Sequence, residues 1–171
     1  MPLLEIREYP DPVLRRKALS VETIDDSLQR LIDDMIDTMY AAPGIGLAAP
    51  QVGVLRRFII VDVSAGETSS PLYVLINPEI VSREGEQVGE EGCLSLPELN
   101  SDVARAARVT VRALDRTGAP VAIEAEDLLA RCLQHEIDHL DGVLFMDKIS
   151  PLKRELYKRK VRKSLKVGGG A

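Results

Sequence analysis

Both histidines of the chain lie in the six residues QHEIDH, as His135 and His139, with Glu136 following the first. Four residues is about one helical turn, so on a helix the two imidazoles share a face and can both reach one metal ion at roughly 2.1 Å. Glu136 then projects beside them and can reach a water on the ion without ligating it. So short a pattern also arises on exposed polar helices, but here it uses the entire histidine content of the chain. The fold is therefore expected to be arranged around this helix.

Two ligands leave a catalytic site incomplete, because such sites normally hold three protein ligands and one open position. Cys132 lies on the same helical stripe, yet at about 1.5 Å rise per residue it sits roughly 10 Å along the axis from His139, too far to share one ion on a straight helix. It is better read as a small buried apolar residue. Cys93, in EEGCLSLP between Gly92 and Pro97, is the stronger third ligand. A glycine beside the sulfur allows close backbone approach. Taken alone, that segment would favour a strand-edge cysteine packed in the core, and it is the two-histidine helix lacking a third ligand that makes the ligand reading overtake it.

The spacing of Leu28, Leu31, Ile32, Met35, Ile36, Met39 and Tyr40 predicts a helix from Asp25, capped by Asp25, Asp26 or Ser27 and stopped at Pro43-Gly44. A second helix is predicted from near Asp127 to Asp141-Gly142. Segments 54–63, 71–78, 108–114 and 120–125 are rich in β-branched residues and bounded by Gly, Pro and Asn, which predicts antiparallel strands. The order helix, strands, helix, tail helix predicts an α+β fold, with antiparallel β-sheets packed around the His-Glu-x-x-His helix and a further helix at each end. The 171 residues suit a single domain: residues 1–150 as the catalytic unit and 151–171 as a basic helix with a flexible Gly-rich end.

GIGLAAPQVG, residues 44–53, carries no ionisable side chain and matches the permissive dinucleotide fingerprint Gly44-x-Gly46-x-x-Ala49. That fingerprint must follow a strand and open a helix. These glycines follow a predicted helix, and Pro50 would interrupt the required one, so no nucleotide cofactor is expected. No apolar run approaches bilayer length, and the N-terminus lacks the character of a signal or transit peptide. A cytoplasmic protein outside the membrane is expected, with its two cysteines as thiols or ligands. Charge is divided: residues 148–171 hold nine Lys or Arg and one acid, against thirteen and twenty-six elsewhere. Such a tail is either a solvated helix face or a docking surface for a polyanion.

In this order and spacing, GIGLAAPQVG, EGCLSLP and QHEIDHLDG resemble the signature motifs of the peptide deformylase family, and YPDPVLRRKA near the start is similar to it as well. The resemblance spans residues 1 to about 150. It implies hydrolytic removal of the formyl group from N-formylmethionine of newly made proteins, with release of formate. Cys93, His135 and His139 would hold the metal, and metal-bound hydroxide would attack the formyl carbon with Glu136 as general base and then acid. The resemblance makes Fe(II) the expected ion, with nickel, cobalt or zinc able to occupy the same ligands; Cys-His-His chemistry alone would favour zinc.

The same resemblance assigns stabilisation of the oxyanion to the Gln51 side chain and the Leu94 backbone N–H. Asn77 and Gln87 could take Gln51's task but lie in no matching motif. The Ile45-Gly46 backbone is expected to pair with the substrate as an added strand, and Ile45, Leu128 and Cys132 to wall a methionine pocket. Glu91 and Arg105 are expected to pair beneath the Cys93 loop, a plain surface pair being the alternative. The run ELNSD after Pro97 is less basic than in several relatives, which leaves preference beyond methionine open. A monomer is expected, with the basic helix near 151–166 docking on the ribosome. The rival readings are a zinc endopeptidase taking its third ligand from Asp141, Asp147 or Glu155, and a metal-stabilised RNA-binding module.

Overall fold

Helix α1, Asp26–Ala41, begins where the Asp25 carboxylate accepts the Leu28 amide at 2.9 Å, so Asp25 is the cap among the three candidates. It buries Leu28, Ile32, Met35 and Met39 along one stripe. Each such side chain contributes about 1.5–3 kcal/mol of gross hydrophobic stabilisation. The Gly44 amide returns to the Met39 carbonyl at 2.8 Å and closes the helix before the chain enters the sheet. The computed structural model describes residues 3–67 and 69–169, with backbone only for 167–169. The end of the predicted Gly-rich tail, residues 170 and 171, lies outside the described residues.

Strands β1 (Gly46–Ala48), β2 (Phe58–Val61) and β3 (Tyr73–Glu84) are followed by β4 (Gln87–Cys93), β5 (Leu96–Arg105), β6 (Arg108–Leu114) and β7 (Pro120–Glu126). Five of them form an antiparallel sheet in the order β1-β2-β3-β6-β7, while β4 and β5 form a separate hairpin. The fold is thus α+β with antiparallel sheets. Helix α2, Asp127–Leu140, packs on β1, β2 and β7. From Ala130 to Leu140 only Asp138 is not fully buried. Helix α3, Pro151–Gly169, inserts Tyr157 against the hairpin, its hydroxyl donating to the Pro97 carbonyl at 3.1 Å.

Several elements differ from the sequence expectation. The strand predicted at 54–63 shortens to β2, and the one at 71–78 extends through Pro78 to Glu84. The extension passes an irregularity at Asn77, whose φ is +52°. The Asn77 side chain accepts the Val21 amide at 2.8 Å and donates to the Val21 carbonyl at 3.0 Å, which stabilises the bulge and commits this amide to the fold. Strands β1, β4 and β5 have no counterpart in the prediction. Pro50 sits in a one-turn 3-10 helix, Ala49–Val52, early enough that its missing N–H costs nothing.

Asp62, just after β2, is buried and accepts the Tyr40 hydroxyl at 2.6 Å, the Ser64 amide at 2.9 Å and the Gly66 amide at 3.1 Å. Burial works against its charge, but these donors and the Ser64 hydroxyl outweigh it and hold the carboxyl below the usual carboxylate range. A depressed folded pKa stabilises above the unfolded value of about 3.9 and ceases to do so as pH falls through the folded one. Asp62→Asn is therefore expected to lose about 1–2 kcal/mol near neutrality and to show a shallower loss of stability between about pH 5 and pH 3. Urea midpoints across that range check this, and equal slopes for both proteins would contradict it.

Candidate metal centre

Helical geometry on α2 sets the site. His135 and His139 stand one turn apart with ring centroids 5.1 Å apart, the rings nearly edge to face. Cys93 ends β4, and the two-residue turn Leu94-Ser95 returns the chain into β5. This brings the Cys93 Sγ to 3.4 Å from His139 Nε2. One donor atom each from Cys93, His135 and His139 lies within 4.8 Å of the others. Cys132 stands apart, its thiol donating to the Ile45 carbonyl at 3.7 Å. Burial, with Glu136 and Glu91 nearby, pushes that thiol well above the usual range, so it stays protonated.

Glu91 organises the layer behind the histidines. Its carboxylate accepts Arg105 at 2.9 and 2.8 Å, His135 Nδ1 at 2.9 Å and Arg131 at 2.5 Å. Burial disfavours its charge, but Arg105 and His135 outweigh that and hold its pKa at about 2. The pair is therefore fully buried, and it supports His135 as well as the Cys93 strand. With Nδ1 committed to Glu91, His135 has Nε2 free for a ligand.

The residues fit a divalent metal. Glu136 Oε1 and His139 Nδ1 are buried polar atoms without a hydrogen-bond partner among the described residues. Burial, reinforced by the neighbouring His135 and Arg105 charges, keeps the His139 ring neutral, the form that ligates. Burial also opposes a charge on His135, yet Cys93, Glu91 and Glu136 together raise its pKa well above the ordinary value. A thiolate with two imidazoles suits the borderline ions of the first transition row and zinc.

Glu136 is buried beside the triad, and burial, with Glu91 adding to it, pushes its pKa up to about 7. Gly46 makes room for it: a Cβ there would stand 2.6 Å from Glu136 Oε2 and 2.9 Å from Cys132 Sγ. The Gln51 side chain is 1% exposed and accepts the Ala48 amide through Oε1 at 2.9 Å. Its Nε2 must then be the donor, and it points to Ser95 Oγ at 3.1 Å and toward Cys93 Sγ at 3.6 Å.

These groups open on one cavity of about 410 Å³. Gln51, Cys93, Leu94, His135 and Glu136 form its chemical side, and Glu91 reaches it from behind. Ile45, Gly46 and Cys132 line it as well, whereas Leu128 is 48% exposed and lies at the rim. Arg105 and His139 do not line it. Arg131, Ser95 and Phe145, whose ring lies 5.8 Å from that of His135, escaped the sequence reading. Only Arg131 left a signal, one helical turn before His135. The endopeptidase candidates are engaged elsewhere: Asp141 pairs with Arg57 at 3.0 Å, Asp147 with Arg15 at 2.5 Å and Glu155 with Lys158 at 3.6 Å.

The sequence pattern of the family described as Polypeptide deformylase matches residues 3–155. The chain belongs to that family. It is similar to a peptide deformylase of Thermodesulfovibrio yellowstonii, 60% identical over 162 residues that cover 95% of this chain and 98% of the other. The crystal structure of a peptide deformylase from Legionella pneumophila superimposes with a TM-score of 0.91 at 51% identity, covering 98% of both chains. That of a peptide deformylase from Synechococcus elongatus in complex with actinonin gives 0.88 at 44% identity, covering 94% of this chain and 88% of the other. The protein is accordingly an enzyme that removes the formyl group from N-formylmethionine peptides. Among the described residues no helix is long and apolar enough to cross a membrane.

Proposed function

We propose that Cys93, His135 and His139 hold the catalytic metal and that Glu136 moves the proton of the reaction. The observation that carries this reading is the close donor triad beside a buried carboxylate oxygen that has no hydrogen-bond partner among the described residues. A divalent ion bound there supplies Lewis acidity, polarising a carbonyl and making water a better nucleophile near neutral pH. Glu136, with a pKa near the working pH, takes a proton as the water oxygen bonds to the formyl carbon. It returns that proton to the amine nitrogen as the C–N bond breaks, leaving formate and a free N-terminus.

Negative charge on the carbonyl oxygen is met by Gln51 Nε2 and the Leu94 backbone N–H. The bond from Ala48 holds the Gln51 amide in place in advance, which is what makes such a donor effective. Gln51→Ala is expected to lower kcat for formate release from a formyl-methionyl peptide by about 10²–10³-fold while leaving the metal content unchanged. A loss confined to KM would contradict that role. The substrate backbone pairs with Ile45 and Gly46, and its methionine enters the cavity between Ile45, Cys132 and the Leu128 rim.

The ion is Fe(II), supported by the family resemblance, with zinc, nickel or cobalt able to use the same donors. The enzyme acts as a cytoplasmic monomer and a single domain, with residues 1–150 carrying catalysis and the basic helix and Gly-rich end of 151–171 belonging to the same domain. Helix α3 meets the ribosome through its outward cations, Lys153, Arg159, Lys160, Arg162, Lys163 and Lys166, all exposed. Since Tyr157 of α3 is buried against the hairpin, charge reversal tests this better than deletion. The combined substitutions Arg159→Glu, Arg162→Glu, Lys163→Glu and Lys166→Glu should weaken ribosome co-sedimentation most at low salt and leave hydrolysis of short peptides unaltered. Undiminished co-sedimentation would refute the docking.

A further inference from the structure

Arg131 belongs neither to the donor triad nor to the proton path, yet its side chain is 7% exposed inside the wall of the site. One guanidinium nitrogen donates to Glu91 Oε2 at 2.5 Å and to the Val103 carbonyl at 2.9 Å, and another to the Gln87 carbonyl at 3.4 Å. It thereby ties α2 to both strands of the β4-β5 hairpin, one helical turn before His135.

The bonds at Glu91 show what this cation adds. Oε1 accepts Arg105 at 2.8 Å and His135 Nδ1 at 2.9 Å. Oε2 accepts Arg105 at 2.9 Å and Arg131 at 2.5 Å. An ionised carboxylate offers about four lone-pair directions, so all of them are taken and the group has one orientation. Arg105 divides its charge with Asp138 at 2.6 Å, whereas Arg131 pairs with no second acid among the described residues. Gly89 is shaped to the same purpose: a Cβ there would lie 3.3 to 3.4 Å from three guanidinium atoms.

We infer that Arg131 is a positioning residue for the metal centre: by completing the donor set of Glu91 it fixes the ring plane and tautomer of His135, holding Nε2 toward Cys93 and His139. The inference rests on His135 being a ligand. Outer-shell partners of metal-bound histidines are worth roughly 10–100-fold in metal affinity.

Titration of the purified protein with Co(II), followed by its visible absorption, tests this without recourse to activity. Arg131→Met, which keeps the length of the side chain but not the fork, should weaken Co(II) binding by about 10–100-fold and alter the ligand-field bands. Arg131→Lys keeps the charge alone and should fall between the two. Gly89→Ala leaves every charged group in place but displaces the guanidinium, and should weaken binding in the same direction. In a Glu91→Gln background, Arg131→Met should add less than about a twofold further effect, because its influence passes through that carboxylate. Full additivity, or wild-type affinity and spectrum in Arg131→Met, would overturn the inference. Should Arg131→Met fail to fold, Arg131→Lys and Gly89→Ala carry the same test, and wild-type binding in both would overturn it equally. Cys93→Ala in the same titration reports on the ligand set itself, so failure of that assignment gives a different result.

Discussion

Cys93→Ala is expected to empty the metal site and reduce formate release to background. The thiolate is the one anionic donor of the triad, and the only one contributed from outside α2. Without it two imidazoles of a single helix remain, too few for a stable site of this type. The loss of affinity should exceed the roughly 10–100-fold attached to an outer-shell partner. Metal content by atomic emission after dialysis, paired with circular dichroism to verify folding, measures this. Glu155→Ala, on α3 and 57% exposed at its side chain, should keep both metal and activity. Metal retained in Cys93→Ala but lost in Glu155→Ala would move the site to the endopeptidase arrangement.

Glu136→Ala should separate binding from chemistry. The carboxylate is buried beside the triad, and Oε1 has no hydrogen-bond partner among the described residues, so on the proposed roles its removal should take away the proton carrier without taking a ligand. A positioned acid-base group is worth about 10²–10⁴-fold, and one that serves both the attack and the departure of the amine should lie at the upper end. Stability should hold or rise, since a buried group with an unmet oxygen is costly to keep. Activity within tenfold of wild type would mean that another group handles the proton. Gly46 bears on the same point from strand β1, because any side chain there would occupy the space of the Glu136 carboxylate.

Helices α1 and α2 were legible because their apolar residues recur at helical spacing and a glycine follows each end, with an Asp25 cap at the start of α1; α2 starts after Glu126 without a side-chain cap. Strand β4 was not legible, and its residues explain why. In QVGEEGC the positions that would favour a strand are given over to the site: Gly89 receives the Arg131 guanidinium, Glu91 turns inward, and Gly92 leaves room for Asn100 Oδ1, which a Cβ would meet at 2.7 Å. Strand β1 is likewise built of Gly, Leu and Ala, its small residues reflecting what lies against them rather than pleat preference. Tertiary placement overrode propensity in both.

The site divides in the same way. The spacing of His135 and His139 is a local property of one helix, so it can be read in a single line of sequence. That Glu91 joins Arg105, Arg131 and His135 at one point depends on how the hairpin docks on α2, to which no periodicity refers. A buried, four-fold bonded carboxylate and an exposed surface pair are written with the same letters. The Gln51 amide is a similar case, since its direction follows from the Ala48 bond and the turn that makes it.

The most direct test of the account is formate release from a formyl-methionyl tripeptide, measured enzymatically in single-turnover conditions with anaerobically loaded Fe(II) or Ni(II) protein. Loaded wild type is expected to give stoichiometric formate and free amine, and equally loaded Glu136→Ala none above background. Metal-loaded wild type that cleaves an internal peptide bond and leaves the formyl group in place, or Glu136→Ala that releases formate at the wild-type rate, would contradict it.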